Sequence, residues 1–370
     1  MKISVEPRIE ASSGLRFVVM STSILCAFMF GGLIMGIVGV DPVDTYVAML
    51  EGAIGRPEYW SQGQFYSITE TLVKAIPLMI TSIAVGVAFK MLFWNIGAEG
   101  QLVVGAIAGS GVALFAKDYG LQSPYAGINV ILMCLAGIMG GGLWALIPAF
   151  LKTRFKVNEI ITTLMFNYVA ILWYQYLFNV VWKDPEGMGF PGTAKFDGVW
   201  ILGRISGRLH WGLGIALFSG LLVWIILDKS KWGYEIRVIG QNIKAAVYGG
   251  IDVNGNVLKV MLFSGGLAGL AGTVEVSGVS YSLQEGLSVG YGYTAIIVSW
   301  LSRLNPIAIM IVSVVFAGIM VGGDQIQMTM GLPSSVAYVL QGAMLFFVLG
   351  GDFFVRYRMT LTKGQRHADS

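Results

Sequence analysis

The chain has 370 residues, 55% of them hydrophobic and only 12% charged, with a mean hydropathy of +0.72 and a formal net charge of +3. An ordinary soluble domain carries roughly 25% charged residues, and a water-soluble fold cannot hide this much apolar surface, so a bilayer is its solvent. Fifty glycines fit that solvent, because small residues let membrane helices approach closely; no nucleic-acid partner is expected.

From the N-terminus, Lys2, Arg8 and Arg16 precede an apolar run longer than a signal-peptide core. No small-residue cleavage box follows it, so it reads as a first anchor. Runs of the roughly 20 apolar residues that a span needs lie at 17–40, 71–93, 101–116, 126–151, 159–182, 211–228, 257–279, 306–322 and 337–353. A tenth, 292–302, is short: a tilted span, a re-entrant piece or half of a broken helix. With the N-terminus inside and the spans alternating, seventeen of the 24 Lys and Arg residues fall on inner segments, the bias of cytoplasmic loops. Nine spans would put the basic tail on the wrong side, so ten are expected. The reading is an all-α polytopic membrane helix bundle of about ten transmembrane helices, both termini cytoplasmic. Residues 1–16 form a cytoplasmic N-terminal segment, 17–353 the transmembrane domain with a cytoplasmic loop at 228–259, and 354–370 a cytoplasmic tail.

Two outer connections, 41–70 and 183–210, are either surfaces for an extracytoplasmic partner or plain solvated loops; the second carries Phe190, Phe196 and Trp200. Cys26 and Cys134 sit in apolar runs and read as packing residues, with neither a disulfide nor a metal site implied.

Between the second and third apolar runs, Asn95-Ile96-Gly97-Ala98-Glu99-Gly100-Gln101 interrupts the pattern with no hydrophilic loop. This is either a tight turn at the inner surface or a break within the protein that starts a fresh helix. In the second case Glu99 sits in a first turn, favoured by the helix dipole, and the break lines a wet cavity. The fifth span opens on Asn158 as a cap, and Thr162, Thr163, Asn167 and Tyr168 continue a polar stripe that serves either helix packing or a solute path. In the inner loop, Asn242 caps a one- to two-turn helix over 243–248, and Gly249 is expected to end it in the left-handed conformation. Ala245 and Ala246 keep one side narrow while Ile243, Val247 and Ile251 offer apolar knobs, so this helix either fits a groove on a partner or lies along the headgroups. Glu275, in the outer part of the seventh span, is expected to face a cavity or a partner. Gln284, Tyr291 and Tyr293 near the outer surface belong either to a ring-stacking site or to the interfacial belt. Gly265, Gly266, Gly269 and Gly272, with Gly137 and Gly140 to Gly142, read as packing faces.

The sequence has no G-x-x-x-x-G-K-[ST], so it has no phosphate cradle of that kind, and His210 and His367 have no zinc spacing around them. No catalytic residue and no metal ligand are assigned.

Three motifs together resemble the permease subunits of ATP-binding-cassette importers, in the branch that carries branched-chain amino acids, ribose and nucleosides. They are Trp94-Asn95-Ile96-Gly97-Ala98-Glu99-Gly100-Gln101; Val157-Asn158-Glu159-Ile160 with Thr163-Leu164-Met165 and Asn167-Tyr168; and Gly240-Gln241-Asn242 with Ala245-Ala246 and Tyr248-Gly249-Gly250-Ile251. The likeness spans about residues 40 to 352 and is strongest to the longer permease of nucleoside and simple-sugar importers; family members usually have Phe-Asn where this chain has Gln241-Asn242.

The resemblance implies a multi-pass protein of the bacterial cytoplasmic (inner) membrane. It implies that Asn242, Ala245, Ala246, Tyr248, Gly249, Gly250 and Ile251 form a coupling helix on a separate cytoplasmic ATPase. It also implies a second permease, the same or a different chain, and an extracytoplasmic solute-binding protein. No cofactor is expected on this chain, ATP and Mg belonging to the ATPase. The residues expected on a path or gate are Asn95, Glu99, Gln101, Asn158, Asn167, Tyr168, Glu275, Tyr291 and Tyr293. The competing expectation is an ion-coupled secondary transporter of a small polar solute. That reading wants buried coupling carboxylates or an inverted repeat; Glu99 and Glu275 are the candidates and no repeat is visible.

Overall fold

The computed structural model describes residues 2–8 and 12–362. In chain order these form β1 (Lys2–Pro7), α1 (Ser13–Val38), α2 (Pro42–Ile54), α3 (Pro57–Ser61), α4 (Tyr66–Lys90), α5 (Ala98–Phe115), α6 (Ala126–Phe155) and α7 (Glu159–Tyr176). There follow β2 (Arg204–Ser206), β3 (Leu209–His210), α8 (Gly212–Lys229), α9 (Lys231–Gln241), α10 (Ile243–Tyr248), α11 (Val253–Glu275), α12 (Tyr291–Leu301), α13 (Pro306–Met330), α14 (Ser335–Arg356) and β4 (Tyr357–Thr362). A π-helical turn continues α7 over Leu177–Val181, and another continues α11 over Val276–Ser280.

Among the described residues nine helices are long and apolar enough to cross a membrane, at the nine long runs read from the sequence. The tenth is α12, whose 11 residues rise about 16 Å at 1.5 Å each. That is half of a roughly 30 Å hydrocarbon core. The approach to it, 281–290, is not a continuous helix, so the short segment is the helical half of a broken span.

The chain divides into two compact units. One comprises residues 1–52 and 322–370. In it α1 packs on α14, and β1 pairs antiparallel with β4, from Lys2 opposite Thr362 to Pro7 opposite Tyr357. This ladder pairs the segment before α1 with the segment after α14. The same unit holds most of α2, in a stretch read from the sequence only as an outer connection. Asp41 accepts from the amides of Val43 (2.7 Å) and Asp44 (3.2 Å), and Pro42 opens the helix, a start signal in plain view. The Tyr46 hydroxyl closes on the Phe28 carbonyl at 2.6 Å.

The other unit, residues 53–321, carries the core. Helix α4 is buried on every side from Ala75 to Phe89, as its all-round apolar sequence demands. Helices α5, α6 and α11 meet at glycines. A Cβ on Gly269 would lie 2.1 Å from the Gly137 carbonyl oxygen, one on Gly105 2.1 Å from the Gly269 Cα, and one on Gly265 2.5 Å from the Gly141 carbonyl oxygen. The glycine series is therefore a three-helix crossing that excludes side chains, as its spacing predicts. Helix α6 turns Ile131, Leu135, Met139 and Leu143 outward, the face a helix offers to lipid.

Candidate functional site

The break between α4 and α5 lies inside the protein. Met91, Phe93, Asn95 and Ala98 are buried, and Leu92 takes φ of 60° to reverse the chain. Backbone that leaves the helix in an apolar setting must find its partners within the protein, and Asn95 supplies them. Its Oδ1 accepts from the Gly97 amide (3.1 Å) and from Gln101 Nε2 (2.9 Å). Its Nδ2 donates to Gln101 Oε1 (2.9 Å) and to Ser264 Oγ (3.2 Å), and Ser264 donates on to the Ala84 carbonyl (2.7 Å). Asn95 and Gln101 thus bind each other in both directions. They hold the start of α5 against α4 and α11.

Asn167 of α7 completes the lock. Its Oδ1 accepts from the Gly100 amide (2.8 Å), and its Nδ2 donates to the Ile96 carbonyl (2.9 Å) and to the Tyr293 hydroxyl (3.3 Å). Gly100 permits the approach, since a Cβ there would stand 2.9 Å from Asn167 Oδ1.

Glu99, fully buried, points from the first turn of α5 at the first turn of α12. Its Oε1 accepts from Ser288 Oγ (2.7 Å) and the Gly290 amide (3.0 Å), and its Oε2 accepts from the Gly292 amide (2.5 Å). Helix α12 has no capping side chain of its own. Its N-cap is Gly290, held at φ of 86° where glycine is at ease. A Cβ on Gly292 would sit 2.3 Å from the Glu99 amide nitrogen. Two helix starts therefore abut, each with a partial positive charge, and one carboxylate serves both.

Beside this junction lies a cavity of about 710 Å³, within the roughly 300–1,000 Å³ typical of small-molecule sites. Tyr168, Ile171, Tyr174, Phe178 and Tyr293 give it apolar and aromatic walls. Glu99, Gln175, Asn179, Glu285 and Ser288 give it polar points. The Tyr174 hydroxyl donates to the Gln284 carbonyl, which pins the 284–288 stretch to α7. The π turn after α7 carries Phe178 and Asn179 to the wall; such turns recur at functional positions.

Of the residues predicted for a path, Glu99, Tyr168 and Tyr293 line this cavity, and Asn95, Gln101 and Asn167 brace its floor. Asn158 lies elsewhere. It caps α7 through the Ile160 amide (2.9 Å), beside a Lys152–Glu159 ion pair of 2.6 Å. Thr162 and Thr163 spend their hydroxyls on carbonyls of their own helix. Tyr291 is buried and does not line the cavity. Glu275 is also away from it; its Oε2 is buried without a hydrogen bond, in the field of Lys74 and Arg208. Tyr174, Gln175, Phe178, Asn179 and Glu285 were missed. For the α7 residues the signal was the i, i+3 and i, i+4 continuation of the Tyr168 stripe through Ile171 to Gln175 and Asn179, hidden by the aromatic residues around it.

The outer connection 183–210 is folded back on the unit. The amides of Thr193, Phe196 and Leu202 donate to the carbonyls of Leu283, Tyr281 and Ser277, and Trp200 is fully buried. Phe190 alone of its three aromatics stands exposed. His210 is buried against Gly212 and Gly278, and its Nδ1 accepts from the Gly212 amide at 3.1 Å. Burial, helped by the Arg208 cation, pushes its imidazole down to about 4.

In the 228–259 loop, Asn242 Oδ1 caps α10 by accepting from the amides of Lys244 (3.0 Å) and Ala245 (3.2 Å). Ala246 is buried, and Ile243, Val247 and Tyr248 are exposed, Tyr248 at 93%. The left-handed residue that ends the helix is Gly250, with φ of 74°, one position later than the expected reversal at Gly249, which keeps φ of −76°. The loop is tied down. Trp232 Nε1 donates to Asn256 Oδ1 (2.9 Å), Asn256 Nδ2 donates to Glu235 (3.1 Å), and a Cβ on Gly240 would lie 2.1 Å from the Lys90 carbonyl oxygen. Among the described residues no group of acidic, His or Cys side chains forms a metal site.

Comparison with known proteins shows the family. A model of the branched-chain amino acid transport system / permease component family matches residues 67–349. A glucose ABC transporter permease of Haloferax volcanii is 31% identical over 382 residues, covering 100% of this chain and 97% of the relative. A guanosine ABC transporter permease of Bacillus subtilis is 31% identical, covering 91% of this chain and 94% of the relative. A nucleoside ABC transporter permease of Lactococcus lactis is 27% identical, covering 88% of each. The chain therefore belongs to the branched-chain amino acid transport system / permease component family, as a multi-pass permease subunit of an ABC transporter in the cytoplasmic membrane.

Proposed function

We propose that this chain forms one half of the solute path of an ATP-driven importer for nucleosides or related simple sugars. The observation that carries the reading is the cavity of about 710 Å³ set on the abutting starts of α5 and α12, since broken helices beside a cavity are how transporters build solute sites. Its mixture of aromatic walls with carboxamides and carboxylates suits a ring that also bears hydroxyls. The glucose, guanosine and nucleoside permeases among its relatives support that solute class.

In this reading the end of the bundle bearing α9 and α10 is cytoplasmic, as are both termini. Helix α10, with Asn242, Ala245, Ala246, Tyr248, Gly249, Gly250 and Ile251, docks on a separate ATPase that binds ATP and Mg. A second permease, identical or different, faces this one, and an extracytoplasmic binding protein delivers the solute. This chain itself carries no catalytic site in the proposal. The exposed Ile243, Val247 and Tyr248 on a capped, tethered short helix support the docking role.

The test is uptake of labelled guanosine, adenosine and ribose by cells with and without the chain, with ATP depletion as control. Loss of an ATP-dependent flux on deletion is expected, restored by the wild-type chain and not by Ala245→Arg, which places a long charge on the exposed side of α10. Full restoration by Ala245→Arg would overturn the docking assignment. A flux that persists on an ion gradient without ATP would overturn the importer reading.

A further inference from the structure

A helix N-terminus at the floor of a transport cavity is a ready-made anion site, because its free N–H groups and its dipole both favour negative charge. Transporters use half-helix starts of this kind to hold a solute carboxylate. Here α12 begins at such a floor, yet the amides of Gly290 and Gly292 and the Ser288 hydroxyl all donate to Glu99. The chain has placed its own carboxylate where an anionic solute group would sit. Glu285 lines the same cavity, and among its lining residues there is no Lys, Arg or His to draw an anion in.

Resting on the reading of this cavity as the solute path, we infer that Glu99 and Glu285 are specificity-determining residues that close it to carboxylate- and phosphate-bearing solutes while admitting neutral and cationic ring solutes. Glu99 acts by occupying the helix start, and Glu285 by its charge at the wall. A solute anion entering would lose part of its hydration, meet no cation on the lining and face two carboxylates. A neutral ring with hydroxyls meets aromatic faces and the Gln175 carboxamide instead, and suffers no such repulsion. The chemistry selects against amino acids and nucleotides and in favour of nucleosides and sugars.

The charge of the cavity is read by thiol labelling of the full chain in membranes, whether or not any solute is transported. Cys26 and Cys134, the free cysteines, are first replaced by serine and alanine. A reporter is introduced as Tyr168→Cys on the cavity wall, with Asn179→Cys as a second reporter and the exposed loop position Phe190→Cys as the reference. Cationic and anionic methanethiosulfonates of similar size are compared, each rate being divided by its rate at the reference. The cationic reagent is expected to be favoured about tenfold or more at Tyr168→Cys, the size that one to two unit charges several ångströms away give in a watery dielectric. Glu285→Gln is expected to reduce the preference by several fold. Glu99→Gln, which keeps an acceptor oxygen but removes the charge, is expected to reduce it too. A ratio near one at both reporters, or a preference that Glu285→Gln leaves unchanged, would overturn the inference. A failed uptake experiment with a preserved labelling preference would instead count against the importer reading alone.

Discussion

Gly269 gives the sharpest test of how the core is held. Its backbone is the crossing point of α5, α6 and α11, and a Cβ there would lie 2.1 Å from the Gly137 carbonyl oxygen, 3.0 Å from the Gly141 Cα and 3.1 Å from the Gly137 carbonyl carbon. Ordinary contact begins near 3.4 Å, so more than an ångström is missing. Every blocking atom is backbone, so no rotamer change can make room and the helices themselves must part. Separation by 0.5–1 Å forfeits roughly a quarter to a half of each dispersion contact along the seam, and overpacking of this kind typically costs about 1–3 kcal/mol. Gly269→Ala is expected at the upper end, about 3 kcal/mol. Helix propensity opposes this, because alanine is favoured over glycine by about 1 kcal/mol in a helix interior. The sign therefore separates the two effects. Gly127→Ala, in the first turn of α6 with nothing within 4 Å of its added Cβ, is the control and should be neutral or stabilising. Unfolding of the purified chain by SDS titration in bicelles measures both. A Gly269→Ala chain as stable as the wild type would refute the close-crossing argument.

Two further outcomes follow from the polar contacts. Asn167→Leu leaves the Gly100 amide and the Ile96 carbonyl buried without partners, at about 1–3 kcal/mol each; a loss of several kcal/mol in the same titration is expected, against about 1 kcal/mol for loss of the exposed cap in Asn158→Ala. His210, held near 4 in the fold against about 6.5 in an unfolded chain, leaves the unfolded state the better proton binder between those values. Its contribution is therefore complete above pH 6.5 and lost as pH falls toward 4, by about 2 kcal/mol between pH 7.5 and pH 5. Melting in detergent at the two pH values should show this component, and His210→Asn should remove it.

The positions of the long spans were legible because a bilayer imposes a length on apolar runs that few other constraints disturb. The break at 95–101 was legible as a break for the same reason: Asn95, Gly97 and Glu99 interrupt a run that nothing else would stop. The destination of Glu99 was not. Its partners at Ser288, Gly290 and Gly292 are about 190 residues away in sequence, and the glycines carry no side-chain signature of a capping site. The cap on α10 was readable from Asn242, whereas the reversal fell at Gly250 because Gly249 still completes the last turn, its amide donating to the Ala245 carbonyl at 2.9 Å. Phe196 and Trp200 read as candidates for a surface because their loop is rich in Gly and Pro. Their burial follows from hydrogen bonds to 277–283 that no local pattern announces.

The same contacts explain why the cavity floor is polar in an otherwise apolar protein. Hydrophobic packing is non-directional and would let α5 and α12 slide past one another, since both present small residues at their starts. The bonds of Asn95 to Gln101 and Ser264, of Asn167 to Gly100, Ile96 and Tyr293, and of Glu99 to α12 fix register as well as distance. In a low-dielectric interior such bonds are strong, and costly to leave half-made. They join α4, α5, α7, α11 and α12 at one level. At the end of α4 that leads into the break, Gly240 sits on the Lys90 carbonyl, and near the start of α11 Trp232 holds Asn256, so α9 is attached to two of the helices that carry the lock. These bonds tie α9 to α11, and α10 follows α9 directly through its cap Asn242. The contact that faces the cavity and joins two separate helix starts is Glu99 to α12.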